Sequence, residues 1–569
     1  MTRLFQFLFL FCLSSSAFAE SYVYLTNNTY ETLQIETHVR GDTTLVAGEH
    51  YEQLAAEVPP LATRRVLRMN RDEGIKNGKT YFLDTRVSGS QSQVTLQQKL
   101  TGTLTFSKMW LSAASDSGDL TWFYDRDIHR QTLTFDGKQS TLAFRSQKAR
   151  TSGDDLYYVI HNEHQQPTVQ SSDKLKVLSY NTWILLPGLI AKKSAERLDA
   201  MLDIVSGYDV IVFQELFDNS LRQNFINRLD EEYPYFTRIV DETGKMEDGG
   251  IFIASRWPIE AEDQTVYDRC INDGCLAAKG AVYAKVNKMG NSYHLFGTHT
   301  HAYTGTEDIA VRAEHLQQLR DFIDSQNIPT SEPVLIAGDL NVDKVNYPGE
   351  HSQMLAILDA TEPQATGAYP YSYDGHVNKW ASNYREYLDY VLYSNRHLQP
   401  VNSTNALLTP RSIDAGLWGD WDISDHFPIE GSFTFPLPSK APVESDGYRT
   451  ITMSDLCLDG NSVINLAHTS LEACDGTDSQ YWQFTAEGSI RNRENPNRCL
   501  DGMGVLNGTR LIVWDCHGGD NQRWMKDGKF IRSSQNPQKV IDAYQTSQGG
   551  GVGIWQYHGG NNQQWQWRQ

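Results

Sequence analysis

The stretch Asp209-Val210-Ile211-Val212-Phe213-Gln214-Glu215-Leu216 places an apolar strand directly before an amide and a carboxylate side chain. Helical segments flank this strand, over residues 194–205 before it and residues 219–231 after it. Apolar strands that alternate with helices are typical of a layered α/β domain. Because polar side chains at strand ends are the usual position of an α/β active site, Glu215 is a candidate site residue.

The same alternation extends along the chain in both directions. A further helix is predicted from Ile309 to Ile323, where apolar residues recur at helical spacing. The pattern predicts a layered α/β domain over residues 173–436, followed by a polar, proline-bearing linker at residues 437–447. Its other strands are predicted at residues 176–180, 293–297 and 334–337.

The N-terminal part of the chain has a different pattern. Residues 1–19 hold one charge, Arg3, then an apolar run and the small-residue pattern Ala17-Phe18-Ala19, which predicts a signal peptide and secretion. Residues 20–172 hold short β-rich runs separated by turn residues. This pattern predicts an all-β domain, a sandwich, for which the sequence indicates no chemistry.

Three Gln-x-Trp elements recur near the C-terminus, at a period of about 40 residues. The repeat predicts three similar β units that close around one core over residues 448–569. The elements are Gln480-Tyr481-Trp482, Gln522-Arg523-Trp524 and Gln563-Gln564-Trp565.

The chain has seven cysteines, of which Cys12 lies in the predicted signal peptide. An even set in a secreted chain favours disulfides, and zinc is the alternative for local cysteine pairs. Because no pair has the Cys-x-x-Cys spacing of a zinc knuckle, we predict disulfides. The predicted pairs are Cys270 with Cys275, Cys457 with Cys474, and Cys499 with Cys516.

The formal net charge is −20, which argues against a protein held on nucleic acid through its phosphates. This charge does not exclude a nuclease, because a bound metal ion supplies positive charge locally. We predict no nucleic-acid partner and no obligate protein partner.

Five segments of the α/β domain carry polar or ionisable residues at the ends of apolar strands. Mg²⁺ prefers oxygen ligands and takes one or two carboxylates, which Glu215 supplies with support from Asn181 and Asp425. Asp339 and Asn341 are two residues apart, which predicts that both lie on one side of an extended segment. The segments are Ser179-Tyr180-Asn181-Thr182-Trp183, Phe213-Gln214-Glu215-Leu216, Gly297-Thr298-His299-Thr300, Gly338-Asp339-Leu340-Asn341-Val342-Asp343 and Ser424-Asp425-His426-Phe427-Pro428.

At these segments the chain resembles the endonuclease/exonuclease/phosphatase superfamily, over residues 174–435. The resemblance implies the four-layer α/β sandwich shared with deoxyribonuclease I. Within the superfamily the chain is most similar to the bacterial neutral sphingomyelinases C. The further segments that carry this similarity are Val212-Phe213-Gln214-Glu215-Leu216-Phe217-Asp218, Gly249-Gly250-Ile251-Phe252-Ile253-Ala254-Ser255-Arg256-Trp257-Pro258-Ile259, Asp273-Gly274-Cys275-Leu276-Ala277-Ala278-Lys279-Gly280 and Tyr387-Leu388-Asp389-Tyr390-Val391.

The resemblance implies a secreted, haemolytic or cytolytic enzyme that hydrolyses membrane sphingomyelin to ceramide and phosphocholine. The implied cofactor is Mg²⁺, with Mn²⁺ or Co²⁺ as substitutes. The implied roles are those of metal ligand and of catalytic group, assigned by motif. Glu215 is the principal ligand, Asn181 lies beside it, Asp425 supports it or a second metal, Asp339 and Asn341 position phosphate and water, His426 is the general base, Asp389 holds that base, and His299 stabilises the phosphorane or protonates the departing alkoxide.

Residues 448–569 resemble the ricin-type β-trefoil lectin family, which implies binding to cell-surface glycans. Sugar sites combine a carboxylate, an amide and an aromatic face. Repeat one has Asp459 but carries Ser479 in place of the amide and has no matching aromatic. We therefore predict sites in repeats two and three, with a scaffold that binds nothing as the alternative. The candidate residues are Asp501, Trp514, His517 and Asn521 in repeat two, and Asp542, Trp555, Tyr557, His558 and Asn562 in repeat three.

Trp418 and Trp421 precede Asp425 and His426 in the sequence. Bulky aromatics beside a lipid-hydrolysing site are predicted to contact the membrane, with packing in the core as the alternative. Two alternative functions also stay open. One is a secreted nuclease or phosphoinositide phosphatase on the same fold, and the other is a toxin that acts mainly through its β binding domains.

Overall fold

The computed structural model describes residues 20–42, 44–71, 73–115, 121–150, 153–186, 192–230, 232–242, 245, 247–439, 447–485 and 488–568. The predicted signal peptide and residues 440–446 of the predicted linker lie outside this description. The chain divides into two compact units, Met1–Gln165 with Arg411–Trp421, and Gln166–Pro410 with Asp422–Gln569. Among the described helices, none has both the length and the apolar character that crossing a membrane requires.

The first unit is a β-sandwich, as predicted. Its sheets have the strand orders β3-β5-β1-β11-β10-β9 and β4-β2-β6-β7-β8, and their inner faces share one apolar core. Burial alternates along β6, where Tyr81, Leu83 and Val87 are buried between more exposed neighbours. This period of two is the pattern of a strand with one face in a core. The strands are β1 (Glu20–Asn28), β2 (Leu33–Gly41), β3 (Tyr51–Gln53), β4 (Glu57–Val58), β5 (Thr63–Asn70), β6 (Thr80–Ser88), β7 (Gln93–Gly102), β8 (Ser107–Ser115), β9 (His129–Phe135), β10 (Lys138–Arg150) and β11 (Gly153–Asn162).

The segment Arg411–Trp421 belongs to this sandwich rather than to the α/β domain predicted around it. The Arg411 guanidinium donates to Asn28 Oδ1 at 2.9 Å and to the Leu61 carbonyl at 2.8 Å. The structure thus groups this segment with the sandwich, although it lies inside the range 173–436 that the sequence analysis assigns to one domain. Sequence periodicity does not reveal that this segment packs on the sandwich, because the contacts join residues several hundred positions apart.

Trp418 and Trp421, which the sequence analysis predicts to contact a membrane, pack inside the first unit. Trp421 is 8% exposed and packs in a cluster with Ala143 and Val159. Trp418 is half-buried against the same cluster, with its ring centroid 5.1 Å from that of Trp421. The two indoles bury their apolar surface inside the first unit, which is the alternative that the sequence left open.

The α/β domain lies in the second unit and is the predicted four-layer sandwich. Its two sheets have the orders β14-β15-β13-β12-β26-β25-β21 and β16-β17-β18-β19-β24-β20, and share a core that includes Val212 and Ile336. Helix α1 packs on α2, and α3 packs on α4 and β17. The Asp218 side chain begins α2 by accepting from the Ser220 and Leu221 amides. The elements are β12 (Lys174–Ile184), α1 (Ser194–Val205), β13 (Val210–Leu216), α2 (Asn219–Leu229), β14 (Tyr235–Phe236), β15 (Phe252–Ser255), β16 (Ile259–Val266), β17 (Gly280–Lys288), β18 (Asn291–His299), α3 (Thr306–Ser325), β19 (Val334–Asp339), α4 (Pro348–Leu358), β20 (Ala360–Thr361), β21 (Gln364–Thr366), β22 (Tyr373–Asp374), β23 (Arg385–Glu386), β24 (Asp389–Ser394), β25 (Asn402–Leu407) and β26 (Ile429–Thr434).

The α/β domain extends beyond its predicted end at residue 436. Leu437 packs against the domain core, and the Pro438 carbonyl accepts from Ser172 Oγ at 2.7 Å and from Asn291 Nδ2 at 2.9 Å. These contacts make residues 437 and 438 part of the domain, so a linker begins after them.

A buried ion pair joins Lys288 to Asp209, with 2.7 Å between Nζ and Oδ1 and side chains 0% and 3% exposed. Replacing Lys288 with methionine leaves the Asp209 carboxylate buried without its cation. We expect a loss of about 3–5 kcal/mol in the free energy of unfolding, measured by denaturant titration. Lys285→Met on the same strand is the matched control, because its ion pair with Glu260 is solvent-exposed and contributes about 1 kcal/mol or less. Equal losses for both variants would contradict this assignment.

The C-terminal domain is the predicted trefoil, built from three equivalent units. Trp482, Trp524 and Trp565 are buried, and each indole Nε1 donates to the carbonyl 24 residues before it. All three predicted disulfides form, two of them in this domain. The strands are β27 (Arg449–Met453), β28 (Leu456–Asp459), β29 (Ala467–His468), β30 (Ser470–Ala473), β31 (Tyr481–Phe484), β32 (Ile490–Asn492), β33 (Arg498–Asp501), β34 (Thr509–Arg510), β35 (Ile512–Asp515), β36 (Trp524–Asp527), β37 (Phe530–Ser533), β38 (Lys539–Ala543), β39 (Gly550–Gln556) and β40 (Gln566–Arg568).

Candidate active site

Neighbouring strands of the α/β domain bring the predicted polar residues together. His299 at the end of β18 is paired with Asp339 at the end of β19, and Asp339 is paired with Asp389 at the start of β24. In the other sheet, Asn181 of β12 is paired with Gln214 of β13, directly before Glu215. Residues that lie opposite one another on paired strands are close neighbours, so sheet register alone assembles most of this site.

Asp339 lies at the centre of the site. Its Oδ2 accepts a hydrogen bond from Asn181 Nδ2 at 3.0 Å. The same oxygen lies 3.6 Å from His299 Nε2 and 3.8 Å from His426 Nε2. Its Oδ1 accepts from the Asn341 amide at 2.9 Å. One carboxylate therefore contacts or approaches four of the predicted site residues.

His426 is oriented by Asp389, as the sequence predicted. The His426 Nδ1 lies 2.8 Å from Asp389 Oδ2, so Nδ1 carries the proton and Nε2 faces Asp339. Burial lowers the pKa of His426, but the charges of Asp389, Asp425 and Asp339 outweigh burial and raise this pKa well above its ordinary value. The Nε2 atom thus faces the centre of the site, and the surrounding carboxylates stabilise the charged form of the imidazole.

Lys279 is a site residue to which the sequence analysis gave no role. Its ammonium lies 2.8 Å from His299 Nε2 and donates to the Thr300 carbonyl at 2.8 Å. Burial and the Lys279 charge hold the pKa of His299 well below its ordinary value. The Lys279 ammonium thus supplies positive charge on this side of the site, beside His299. The sequence signal that could have indicated this role is a lysine directly before an apolar strand, in Ala278-Lys279-Gly280.

Arg197 of α1 is a second residue missed by sequence reasoning. It is fully buried, and its guanidinium donates to the carbonyls of Thr182, Trp183 and Ile423. Ser424 Oγ, in turn, donates to the Asn181 carbonyl at 2.7 Å. These bonds join the end of β12 to the loop that carries His426. The sequence gives little signal for this role, because Arg197 lies in an ordinary amphipathic helix.

Several residues of the site have left-handed backbone conformations. The φ angles are 51° at Trp183, 55° at Glu215 and 52° at Asn341. Such conformations are costly for residues other than glycine and cluster at functional sites. The prediction of an extended segment at Asp339 and Asn341 is therefore wrong, because β19 ends at Asp339 and the backbone turns. Both side chains nevertheless line the same cleft.

The electrostatics of the site fit a cation. Burial and neighbouring charges raise the pKa of Asp339 to about 6 and that of Asp425 to about 7, and burial also raises the pKa of Glu215. Ligand atoms of Glu215, His299 and Asp339 lie within 4.8 Å of one another, as do those of Asp339, Asp389 and His426. Converging carboxylates with raised pKa values are relieved by a bound cation, and oxygen donors suit a divalent one.

Asp425 also lines the cleft, and its carboxylate interacts electrostatically with Glu215 and Asp339. It belongs to neither group of ligand atoms found among the described residues, and its Oδ1 accepts from Ser424 Oγ at 3.3 Å. Asn181 has its amide engaged with Asp339 and its Oδ1 with the Trp183 amide. The carboxylates of Glu215 and Asp339 are therefore the better placed oxygen donors.

The site opens into a cleft of about 1180 Å³. Glu215, His299, Asp339 and His426 lie in its wall, and Tyr303 and Tyr384 are exposed at its rim. Leu276, next to the disulfide between Cys270 and Cys275, also lines the cleft. This volume is in the range of clefts that bind small-molecule ligands.

The trefoil carries two of the predicted constellations. In repeat two, Asn521 Nδ2 donates to Asp501 Oδ1 at 2.8 Å, and His517 Nε2 lies 3.4 Å from Asp501 Oδ2. Trp514 lies diagonally across from Asp501 on the paired strand. Trp514 is paired with Cys499 in the sheet register of repeat two. In repeat one, the residue paired with the equivalent Cys457 is Glu472. Repeat one thus lacks the aromatic, as predicted.

Repeat three repeats this arrangement with one departure. Asn562 Nδ2 donates to Asp542 Oδ2 at 3.0 Å, His558 Nε2 lies 3.5 Å from the same oxygen, and Trp555 is 39% exposed. Tyr557 takes the position of the second disulfide cysteine of the other repeats. Its ring packs on Phe530 and lies under the Arg532 guanidinium. Packing thus takes the place of the missing disulfide, while Tyr557 stays 39% exposed and available to a ligand.

The fold and the site define a protein of the endonuclease/exonuclease/phosphatase class. Residues 178–426 match the Endonuclease/Exonuclease/phosphatase family, and residues 448–565 match the Ricin-type beta-trefoil lectin domain. Sphingomyelinase C of Bacillus cereus is 32% identical over 306 residues, which cover 47% of this chain and 91% of that protein. The chain therefore belongs to the sphingomyelinase C family.

Other relatives match a similar share of the chain. Sphingomyelinase C 2 of Leptospira interrogans serogroup Icterohaemorrhagiae serovar Lai is 37% identical over 300 residues, which cover 47% of each chain. The chain thus spans about half the length of this relative. The crystal structure of sphingomyelinase C from Streptomyces griseocarneus is 30% identical, with a TM-score of 0.42 over 46% of this chain and 99% of that one.

Proposed function

We propose that this chain is a secreted, Mg²⁺-dependent phosphodiesterase that hydrolyses sphingomyelin to ceramide and phosphocholine, and that it is haemolytic. The observation that carries the proposal is the position of the Asp339 carboxylate. It lies between His299 and the Asp389–His426 pair in the wall of the cleft. The three disulfides support secretion, because such bonds persist in oxidising compartments.

Glu215 and Asp339, with Asn181 beside them, are the residues that hold the cation. When bound, Mg²⁺ neutralises phosphate oxygens and so lowers the barrier to attack on a phosphodiester. Asn341 supports the same side of the cleft, because its backbone N–H donates a hydrogen bond to Asp339 Oδ1. The Lys279 ammonium adds fixed positive charge opposite His426, where the phosphate gains negative charge as it reacts.

His426 removes the proton from the attacking water at its Nε2. The water oxygen forms a bond to phosphorus, and the bond from phosphorus to the ceramide oxygen breaks. That oxygen takes up a proton from solvent, and the imidazolium of His426 later returns its proton to solvent. Asp389 holds the imidazole in the tautomer that leaves Nε2 free and stabilises the imidazolium that forms. Phosphocholine and ceramide are the products.

Substrate choice tests the proposal against its alternatives. The purified chain is incubated with sphingomyelin vesicles, a phosphoinositide and duplex DNA, each with Mg²⁺ or with excess chelator. We expect release of phosphocholine from sphingomyelin with Mg²⁺ and none with chelator. Preferential cleavage of DNA or of the phosphoinositide would contradict the proposal. Lysis of erythrocytes that persists in chelator would favour a toxin that acts through its β domains.

We further propose that the trefoil tethers the enzyme to cell-surface glycans. Asp501 and Asp542 are 3% exposed and accept from buried Gln522 and Gln563, so their removal would also disturb the fold. Trp514→Ala with Trp555→Ala is the cleaner change, because Trp514 is half-buried and Trp555 is exposed, so neither indole belongs to the buried core. We expect normal hydrolysis of detergent-dispersed sphingomyelin and about 10²-fold weaker potency on cells.

Glu472→Ala, at the equivalent position of repeat one, is the matched control and should leave both activities unchanged. Equal potency on cells for the double variant and the unaltered chain would make the trefoil a passive scaffold.

A further inference from the structure

The hairpin tip between β7 and β8, residues 103–106, presents two large apolar side chains to solvent. Leu104 is 87% exposed and Phe106 is 54% exposed. The turn is closed by the Thr103 amide, which donates to the Phe106 carbonyl at 2.8 Å, and by the Phe106 amide, which donates to Thr103 Oγ at 3.1 Å. A closed turn holds both side chains outward, where burying them would favour binding to an apolar phase.

Lysines border this β7–β8 tip. The Gly78 amide donates to the Gly102 carbonyl, and the Gly102 amide donates to the Lys79 carbonyl, each at 3.0 Å. These bonds bring the loop that carries Lys76 and Lys79 to the base of the hairpin. Lys108 is exposed one residue beyond the start of β8. Within the described part of the chain, Lys76 and Lys108 form no salt bridge, so their charges are available to an anionic partner.

An aromatic belt lies behind the tip on the outer face of the same sheet. Lys99 is paired with Trp110 in the sheet register, and its Nζ lies 4.6 Å from the Trp110 ring and 4.8 Å from the Trp122 ring. Tyr124 is 59% exposed, with its ring centroid 5.3 Å from that of Trp110. Trp110 follows Ser107 by three residues, which places this belt about 10 Å up the strand from the tip.

We propose that the β7–β8 tip inserts into the interfacial zone of a phospholipid bilayer. Leu104 and Phe106 enter the acyl boundary, Lys76 and Lys108 meet lipid phosphates, and the rings of Trp110 and Tyr124 lie at the head-group level. This order along one axis matches the layers of a bilayer, in which aromatic rings and lysines anchor at the interface. The tip is convex, so it fits a deformable lipid surface, and it gives the sandwich a function independent of the cleft.

Vesicles of phosphatidylethanolamine and phosphatidylglycerol test the proposal, with the full chain and excess chelator. These lipids carry neither choline nor a glycan, so they offer no ligand to the proposed activity of the cleft or of the trefoil. We expect the chain to co-sediment with the vesicles. Leu104→Ser with Phe106→Ser should lower the partition coefficient about tenfold or more. Lys76→Gln with Lys108→Gln should remove most of its dependence on salt.

Leu104→Met with Phe106→Leu is the matched control, because it keeps the tip apolar, and it should bind like the unaltered chain. All variants should keep the same melting temperature and the same hydrolysis of dispersed substrate, since the tip is exposed and lies outside the cleft. Unchanged binding by the serine variant would overturn the proposal. Absence of vesicle binding with tip-dependent self-association in sedimentation velocity would also overturn it, in favour of a second copy of the chain.

Discussion

Glu215→Gln is expected to lower Mg²⁺-dependent turnover on sphingomyelin by about 10²–10³-fold, because it removes a charged oxygen donor from the cation site. Glutamine has nearly the same shape, so the left-handed backbone at this position and the burial of its neighbours should be preserved. The melting temperature of the cation-free variant should therefore equal or exceed that of the unaltered chain, since one of several converging carboxylates is gone.

Titration of the Glu215→Gln variant with Mg²⁺ shows whether Glu215 is a metal ligand or only adds negative charge to the site. The variant should need a much higher Mg²⁺ concentration for half-maximal activity, and calorimetry should detect weaker binding of the ion. Glu247→Gln is the matched control, because Glu247 lines the same cleft but belongs to neither of the described ligand groups. A Glu215→Gln variant that keeps full activity in excess chelator would remove the cation from the account.

His426→Ala is expected to reduce turnover by about 10²–10⁴-fold, the range typical of losing a general base. A base acts in its neutral form, so activity should rise with pH through the pKa of this imidazole. The Asp389, Asp425 and Asp339 charges raise this pKa against burial. Asp389→Asn removes one of these charges and should move the ascending limb of the pH profile to lower pH, together with a loss of turnover.

The two changes should not be additive. Because Asp389 acts through His426, the double variant should be about as slow as His426→Ala alone. Asp374→Asn is a matched control for the aspartate, since Asp374 is equally buried but contacts Tyr369 and Arg385 rather than His426. Additive losses of turnover in the double variant would refute this role for Asp389. An ascending limb of the pH profile that does not move in Asp389→Asn would also refute it.

The local sequence pattern was sufficient to predict the site residues that lie at strand ends. Asn181, Glu215, His299 and Asp339 follow apolar runs, and sheet pairing then places them together without further information. The three disulfides were predictable for a similar reason, because each joins cysteines close in sequence. The Gln-x-Trp period likewise fixed the three units of the trefoil.

Long-range packing was not predictable from pattern. Arg411–Trp421 packs on the sandwich through contacts with residues such as Asn28 and Val159, and no periodicity encodes contacts of that separation. The role of Lys279 depends on the position of His299 in the neighbouring strand. Asn341 departs from the extended conformation because the backbone turns at the end of β19, and the packing of Tyr557 on Phe530 joins residues 27 positions apart.

Hydrolysis of sphingomyelin vesicles in ¹⁸O-labelled water is the most direct test of the central claim. If water attacks phosphorus with His426 as base, mass spectrometry should find one ¹⁸O atom in phosphocholine and none in ceramide, and chelator should stop the reaction. Label in ceramide, unlabelled phosphocholine or release of free choline would contradict it.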